Sequence, residues 1–146
     1  DTQSGWKNDE MTEIYRFSLQ DGEVKFAAKG KVLGRILNQF SMSEFGDYFR
    51  IATQVGQAWG NALSETQVSI LDMNLKEVSG IDGIAPGENM KSARFLGKKG
   101  YLVTFKTVDP LFVLDLDPQD PQVLGKLKIP GWSDYLHPYD DDHLIG

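Results

Sequence analysis

The sequence contains no cysteine, only two histidines, and fewer basic than acidic residues. Without cysteine the chain cannot form disulfides, zinc–thiolate sites or a thiol nucleophile. Its 15 basic residues against 21 acidic ones give a formal net charge of -6. This charge disfavours nucleic acids and anionic membrane surfaces as partners, because both bind clustered lysine and arginine. No apolar run approaches the length that a membrane-spanning helix needs.

Proline is confined to one part of the chain. All six prolines lie between Pro86 and Pro138, and none interrupts an apolar run, where it would remove a hydrogen-bond donor from a strand. Aromatic residues make up 11% of the chain, and aliphatic residues are plentiful, which argues against intrinsic disorder. The length of 146 residues allows one ordinary domain or about three small repeated units.

One internal pattern occurs three times. The pattern is a strand followed by a tight polar turn, a second strand and a glycine. Its first strand lies at residues 14–20, 68–74 and 111–117. In this alignment Asp72 lies 54 residues after Ser18 and 43 residues before Asp115. The longer interval has extra residues in an enlarged loop after residue 53.

A second pattern follows each glycine. Residues 40–53, 93–105 and 135–145 each read as two short strands joined by a polar turn. The two patterns together give four strands in a period near 43 residues, which is typical of β-propeller blades.

The predicted fold class is all-β: a partial β-propeller with four-stranded antiparallel blades, two complete and flanked by two half-blades. The predicted boundaries are residues 12–34 for the first half-blade, 35–87 and 88–131 for the complete blades, and 132–146 for the second half-blade. A helix over residues 35–45 is the alternative for that segment, because short apolar runs do not distinguish helix from strand.

The segment from Met90 to Gly146 is similar in sequence to a known protein family, and the similarity is strongest in residues 92–95, 101–116 and 133–139. It resembles the bacterial secreted β-propeller domain family, which is distantly related to WD-type repeats, and weaker similarity extends back to Glu13. The resemblance implies a fragment of a propeller domain on an exported bacterial protein, with an extracellular or cell-surface location. It implies no catalytic residues.

Two candidate binding residues lie on predicted first strands, which line the central channel of a propeller. Arg94 stands between Ala93 and Phe95, and a charge there must be paired or hydrated. An ion pair with an acidic neighbour is the structural interpretation, and recognition of an anion in the channel is the functional one. For His137 and for His143 on the neighbouring strand, a structural role competes with that of a general base or metal ligand.

Four more candidates lie on predicted loops. Lys106 and Asp109 belong to the connection between second and third strands, and Trp59 and Trp132 lie in loops at the same rim. Aromatic and charged residues on loops often mark binding surfaces. Capping of the stacked sheets is the alternative role for both indoles.

The acidic residues do not predict a metal site. Asp115, Asp117 and Asp120 have a suitable spacing, but equivalent polar residues occur in the other units, which is typical of turns. The run at residues 140–142 lacks the glycine and the later glutamate of a calcium loop. We therefore expect no metal and no cofactor.

The leading functional prediction is a non-catalytic binding or scaffolding domain that holds a protein or small-molecule ligand at the propeller rim or channel. The alternative is a hydrolase or lyase with its site in the channel, using Arg94 and His137, either alone or with a metal. The half-blades expose unpaired strand edges, which favour pairing with another chain. A homodimer by strand exchange of half-blades, with six blades in all, is therefore a further prediction.

Overall fold

The computed structural model describes residues 10–56, 64–105, 109–129, 133–140 and 143–146. Within these ranges the chain forms twelve β-strands and one turn of 3-10 helix, Gln39–Ser41. The strands are β1 Met11–Gln20, β2 Glu23–Leu33, β3 Met42–Phe45, β4 Tyr48–Val55, β5 Glu65–Asp72, β6 Glu77–Ile84, β7 Asn89–Leu96, β8 Lys99–Phe105, β9 Asp109–Asp115, β10 Gln122–Ile129, β11 His137–Pro138 and β12 Leu144–Ile145. The prediction of an all-β chain is confirmed.

Strands that follow one another within a sheet are antiparallel neighbours. β1 and β2 form a first hairpin, and β11 and β12 form a last hairpin. Between them β3 to β6 form one four-stranded sheet, which we call blade I, and β7 to β10 form a second, blade II. This is the predicted arrangement of two four-stranded blades between two half-blades.

The turn chemistry explains the register of the first hairpin. Gln20 pairs with Glu23 across the two-residue turn Asp21-Gly22, and both turn residues have positive φ angles, 51° and 78°. This is the backbone of a type I′ turn, whose twist matches that of the flanking strands. Asp-Gly is a preferred pair for it because glycine and aspartate tolerate the left-handed region.

The start of blade I differs from the prediction. The expected strand from Phe40 begins only at Met42, because residues 39–41 form the 3-10 turn. The Asn38 side chain accepts a hydrogen bond from the Phe40 amide at 2.9 Å, which offers the backbone an alternative to strand pairing. The alternative of a helix over residues 35–45 is wrong, since only this single turn is helical.

The central strands are buried on both faces because the sheets stack on one another. In β4, Ile51 packs toward the first hairpin with Val32 and Leu71, whereas its neighbour Ala52 packs toward blade II. In β8, Leu102 packs toward blade I, whereas Val103 packs with Leu136 of the last segment. Successive side chains of a strand point to opposite faces, so each central strand joins two hydrophobic cores.

The first hairpin lies in close contact with blade I at Gly30 of β2. A Cβ atom at this position would lie 2.6 Å from the Cβ of Leu75 and against the Leu75 carbonyl oxygen. Real Cβ atoms do not approach other atoms so closely. The absence of a side chain at Gly30 therefore sets the distance between these two sheets.

Candidate functional site

Three arginines join successive units of the fold through main-chain carbonyls. Arg16 of the first hairpin donates from Nη1 to the Met73 oxygen of blade I at 2.8 Å. Arg50 of blade I donates from Nη1 to the Gly97 oxygen of blade II at 2.6 Å. Arg94 of blade II donates from Nε to the Leu136 oxygen just before the last hairpin.

Arg94 packs against two aromatic rings that also contact each other. Its Cζ is 3.6 Å from the ring centroid of Phe40 and 4.5 Å from that of Tyr135, and the two rings meet edge to face at 5.5 Å. Phe40 precedes the first strand of blade I, Arg94 lies on the first strand of blade II, and Tyr135 precedes the first strand of the last hairpin. First strands of successive blades face the axis of a propeller, so this cluster belongs to the predicted channel side.

The expected ion pair of Arg94 is not formed within the described residues. Its side chain is 9% exposed, and its contacts are the two rings and one carbonyl oxygen. The ring faces attract the cation electrostatically, and the carbonyl accepts one charge-assisted hydrogen bond. These contacts compensate in part for the hydration that the guanidinium loses on burial. Neither Nη atom has a hydrogen-bond partner among the described residues.

His137 lies beside the same cluster. Its imidazole stacks on the ring of Tyr135 with the centroids 6.2 Å apart and the planes at 28°. Tyr135 therefore brings together the two candidates that the sequence placed on first strands. His143 is separate, because its Nδ1 lies 2.7 Å from an Asp140 carboxylate oxygen in an exposed turn.

The rim candidates are only partly located. Asp109 begins β9 and pairs with Ile129 of β10 through the backbone, whereas the sequence placed it in the connection before this strand. Trp59, Lys106 and Trp132 lie outside the described residues. The proposed contribution of these four residues stays a prediction.

The aspartates at the ends of third strands form turns. Asp72 accepts hydrogen bonds from the amides of Asn74 and Lys76 through Oδ1, and Asp115 accepts one from Asp117. The pKa of Asp72 is lowered, first by the hydrogen bond from the Lys76 amide, which favours the ionised form. These hydrogen bonds show that both aspartates stabilise turns at the ends of their strands. Among the described residues, no three histidine or carboxylate side chains converge.

Sequence reasoning missed Arg50, which is only 2% exposed. Its guanidinium carbon lies 5.1 Å from the ring centroid of Phe45 and 5.3 Å from that of Phe95. Nη2 donates to Ser43 Oγ at 2.8 Å, while the buried Nε has no partner. Burial lowers the pKa of Arg50 to about 10, because desolvation disfavours the charged form.

A signal for Arg50 was present in the sequence. It interrupts the otherwise apolar run at residues 48–52, which the repeat alignment already placed on a central strand. A charge in the middle of a strand that is buried on both faces must find a partner, so its position could have been noticed. The partners themselves, on another blade, could not have been named.

A family model described as a β-propeller domain matches residues 2–146. The chain belongs to this family. The stacked four-stranded antiparallel sheets of the structure agree with the assignment.

Two relatives are uncharacterized proteins from archaea. One, from Methanocaldococcus jannaschii, is 43% identical over 142 residues, which cover 97% of this chain and 22% of the relative. The other, from Archaeoglobus fulgidus, is 41% identical over 138 residues, 94% of this chain and 21% of the relative. The chain thus spans about a fifth of the length of these relatives. No solved structure matches significantly.

These comparisons correct part of the resemblance that the sequence suggested. The propeller family is right, but both relatives are archaeal rather than bacterial, and the matching family description does not mention WD-type repeats or secretion. Within the described residues, no helix is long and apolar enough to cross a lipid bilayer.

Proposed function

We propose that this chain is a non-catalytic binding or scaffolding segment of an exported β-propeller protein. Arg94 on the channel side supplies a guanidinium group to an acidic group of a protein or small-molecule ligand. The observation that carries the proposal is the arrangement of Arg94. Two rings and one carbonyl fix the side chain, and both terminal amino groups lack partners among the described residues.

Such an arrangement favours recognition of a carboxylate. A guanidinium presents parallel donors that match the two oxygens of a carboxylate. The rings of Phe40 and Tyr135 restrict the side chain before the ligand arrives, so less conformational entropy is lost on binding. Stacking of His137 on Tyr135 adds an exposed planar surface beside the cation.

A binding role has more support than catalysis in the channel. A general base requires hydrogen-bond contact with a nucleophile and usually a third group that orients it. Within the described part of the chain, the side chain of His137 has no hydrogen bond and contacts the ring of Tyr135. The hydrolase or lyase alternative therefore gains no support from the geometry.

The exported location remains part of the proposal, because it rests on the resemblance of the sequence to secreted propeller proteins. The rim residues Trp59, Lys106, Asp109 and Trp132 would extend the contact surface around the channel. Loops at the ends of rigid sheets commonly carry binding residues.

A second copy of this chain is a further proposed partner. The first hairpin has only two strands, and its outer face exposes apolar side chains, namely Tyr15, Phe17, Leu19, Val24 and Phe26. The opposite face of the same hairpin packs on blade I. Open strand edges and an exposed apolar face favour association with another sheet. In the homodimer, the half-blades of two chains would pair with each other.

Binding at Arg94 can be tested with a minimal acidic probe. Titration of the chain with acetyl-Gly-Glu-Gly-amide should shift the NMR signals of Phe40, Arg94 and Tyr135. Arg94→Lys keeps the charge but loses the planar pair of donors, so it should weaken binding several-fold. Arg35→Lys is the matched control, because Arg35 is exposed and pairs with Glu10 at 3.4 Å. Equal binding by both variants would contradict the proposal.

A further inference from the structure

A cavity of about 260 Å³ lies between blade I and blade II, at the rim formed by the short turns within the blades. This rim is at the other end of the sheets from Val55 of β4 and Phe105 of β8. Its walls come from the β3–β4 turn of blade I and from the β7–β8 and β9–β10 turns of blade II. The cavity is therefore distinct from the channel-side cluster at Arg94.

The cavity combines apolar walls with a buried cation. Phe45 and Tyr48 line it from blade I, and Leu116 and Pro118 line it from blade II. Arg50 is part of the wall and is 2% exposed. Apolar walls with a few fixed polar groups are typical of small-molecule sites.

The charge of Arg50 is not neutralised within the described residues. Nη1 and Nη2 donate to a carbonyl and to a hydroxyl, both of them uncharged, and the buried Nε has no partner. The rings of Phe45 and Phe95 compensate the desolvation only in part. A buried cation of this kind is stabilised by an anion that enters the neighbouring space.

Three other charged residues line the cavity and define its selectivity. Lys98 is exposed and adds a second cation, while Asp47 and Asp117 place carboxylates at the same walls. Neither aspartate forms an ion pair with Arg50 in the described structure. Two carboxylates repel a ligand of high negative charge, so a single negative charge is preferred over a multiply charged phosphate.

The size of the cavity sets the size of the ligand. The volume of about 260 Å³ is well above what one water needs, so the cavity has room for a small organic molecule. We propose that this cavity binds a small monocarboxylate with an apolar body, whose carboxylate lies toward Arg50 and Lys98 and whose body contacts Phe45, Tyr48 and Leu116. This site is independent of the function proposed for Arg94.

Benzoate tests the inference, because it has the required size and charge, and benzamide is a neutral molecule of the same shape. Isothermal titration calorimetry on the chain should show millimolar binding of benzoate and at least tenfold weaker binding of benzamide. Sulfate, which lacks an apolar body, should also bind at least tenfold more weakly than benzoate. Equal affinities for benzoate and benzamide would overturn the proposal.

Charge reversals at two adjacent exposed residues give a matched pair of variants. Lys98→Glu should weaken benzoate binding several-fold, whereas Lys99→Glu should leave it unchanged, because only Lys98 lines the cavity. Both variants change the net charge equally. If binding is weakened equally in both, the effect is one of general charge and the proposed binding site is wrong.

Arg50→Met tests the buried cation, provided that circular dichroism and unfolding show a folded protein. We expect loss of the preference for benzoate over benzamide. NMR shifts induced by benzoate should map to Phe45 and Tyr48. Shifts confined to Phe40 and Tyr135 would overturn the inference while supporting the channel-side site.

Discussion

Replacement of Gly30 by alanine gives a direct test of how closely the first hairpin packs on blade I. The new methyl group would lie 2.6 Å from Leu75 Cβ and against a main-chain oxygen. Backbone atoms cannot rotate away as a side chain can, so one of the two sheets must shift. Insertion of a methyl group into a packed core costs about 1–3 kcal/mol.

A smaller effect of opposite sign must be subtracted. Alanine restricts the unfolded chain more than glycine does, which stabilises the folded state by about 0.4–1 kcal/mol where the backbone conformation is compatible. The φ angle of Gly30 is not positive, so this gain applies. We expect Gly30→Ala to lower the free energy of unfolding by about 1–2 kcal/mol. For a chain of this length, the midpoint of thermal unfolding should fall by roughly 2–8 °C.

Gly125→Ala is the matched control. Gly125 lies on β10, the outer strand of blade II, its φ is not positive, and a Cβ there would meet no atom within 4 Å. We expect a gain of about 0.4–1 kcal/mol from the entropy effect alone. Urea unfolding, followed by fluorescence and by circular dichroism, measures both variants. Equal changes in stability for Gly30→Ala and Gly125→Ala would refute the reasoning.

Three other perturbations test separate features. The pKa of Asp72 is lowered in the folded state, so its ionised form stabilises the protein above the ordinary pKa of 3.8, and this contribution is lost as pH falls through the folded pKa. Asp72→Asn should therefore destabilise the chain at pH 7 and much less at pH 2, as measured by chemical unfolding. Gln54→Leu removes the oxygen that accepts from the buried Met90 amide at 2.5 Å and should cost about 1–3 kcal/mol by the same assay. Phe26→Lys places a charge on the exposed face of the first hairpin and should abolish self-association, as measured by light scattering. A mass of 16.3 kDa for the wild-type chain at micromolar concentration would contradict the proposed dimer.

The fold could be predicted because the patterns that determine the strands and turns lie within short stretches of the sequence. Alternation of apolar residues and turn pairs such as Asp21-Gly22 determine where strands begin and end, and the period near 43 residues determines how many form one sheet. The start of β3 was less predictable. The hydrogen bond from the Phe40 amide to the Asn38 side chain depends on a local competition that periodicity does not report.

The site was predicted only in part because its side chains contact residues that are far away in the sequence. The sequence placed Arg94 on the channel side but predicted an acidic partner. The actual partners, Phe40 and Tyr135, lie more than 40 residues away on either side, and only the stacking of three units brings them together. Arg50 was missed for the same reason, because its carbonyl acceptor at Gly97 and its second ring at Phe95 belong to another blade.

The hydrogen bonds that join successive units have a consequence for how the sequence can change. Arg16, Arg50 and Arg94 all donate to main-chain oxygens, those of Met73, Gly97 and Leu136. Every residue carries such an oxygen, so substitution of an acceptor residue leaves the bond intact as long as the backbone keeps its path. For the hydrogen bonds themselves, mutational sensitivity therefore lies on the donor side of each junction. Two of the acceptors are constrained for other reasons, because Leu136 is buried against Val103 and Gly97 has a positive φ of 51°. The partly exposed Met73 has neither constraint, so the first junction is the one where the acceptor can acquire a new side chain, and with it a new surface, without loosening the stack.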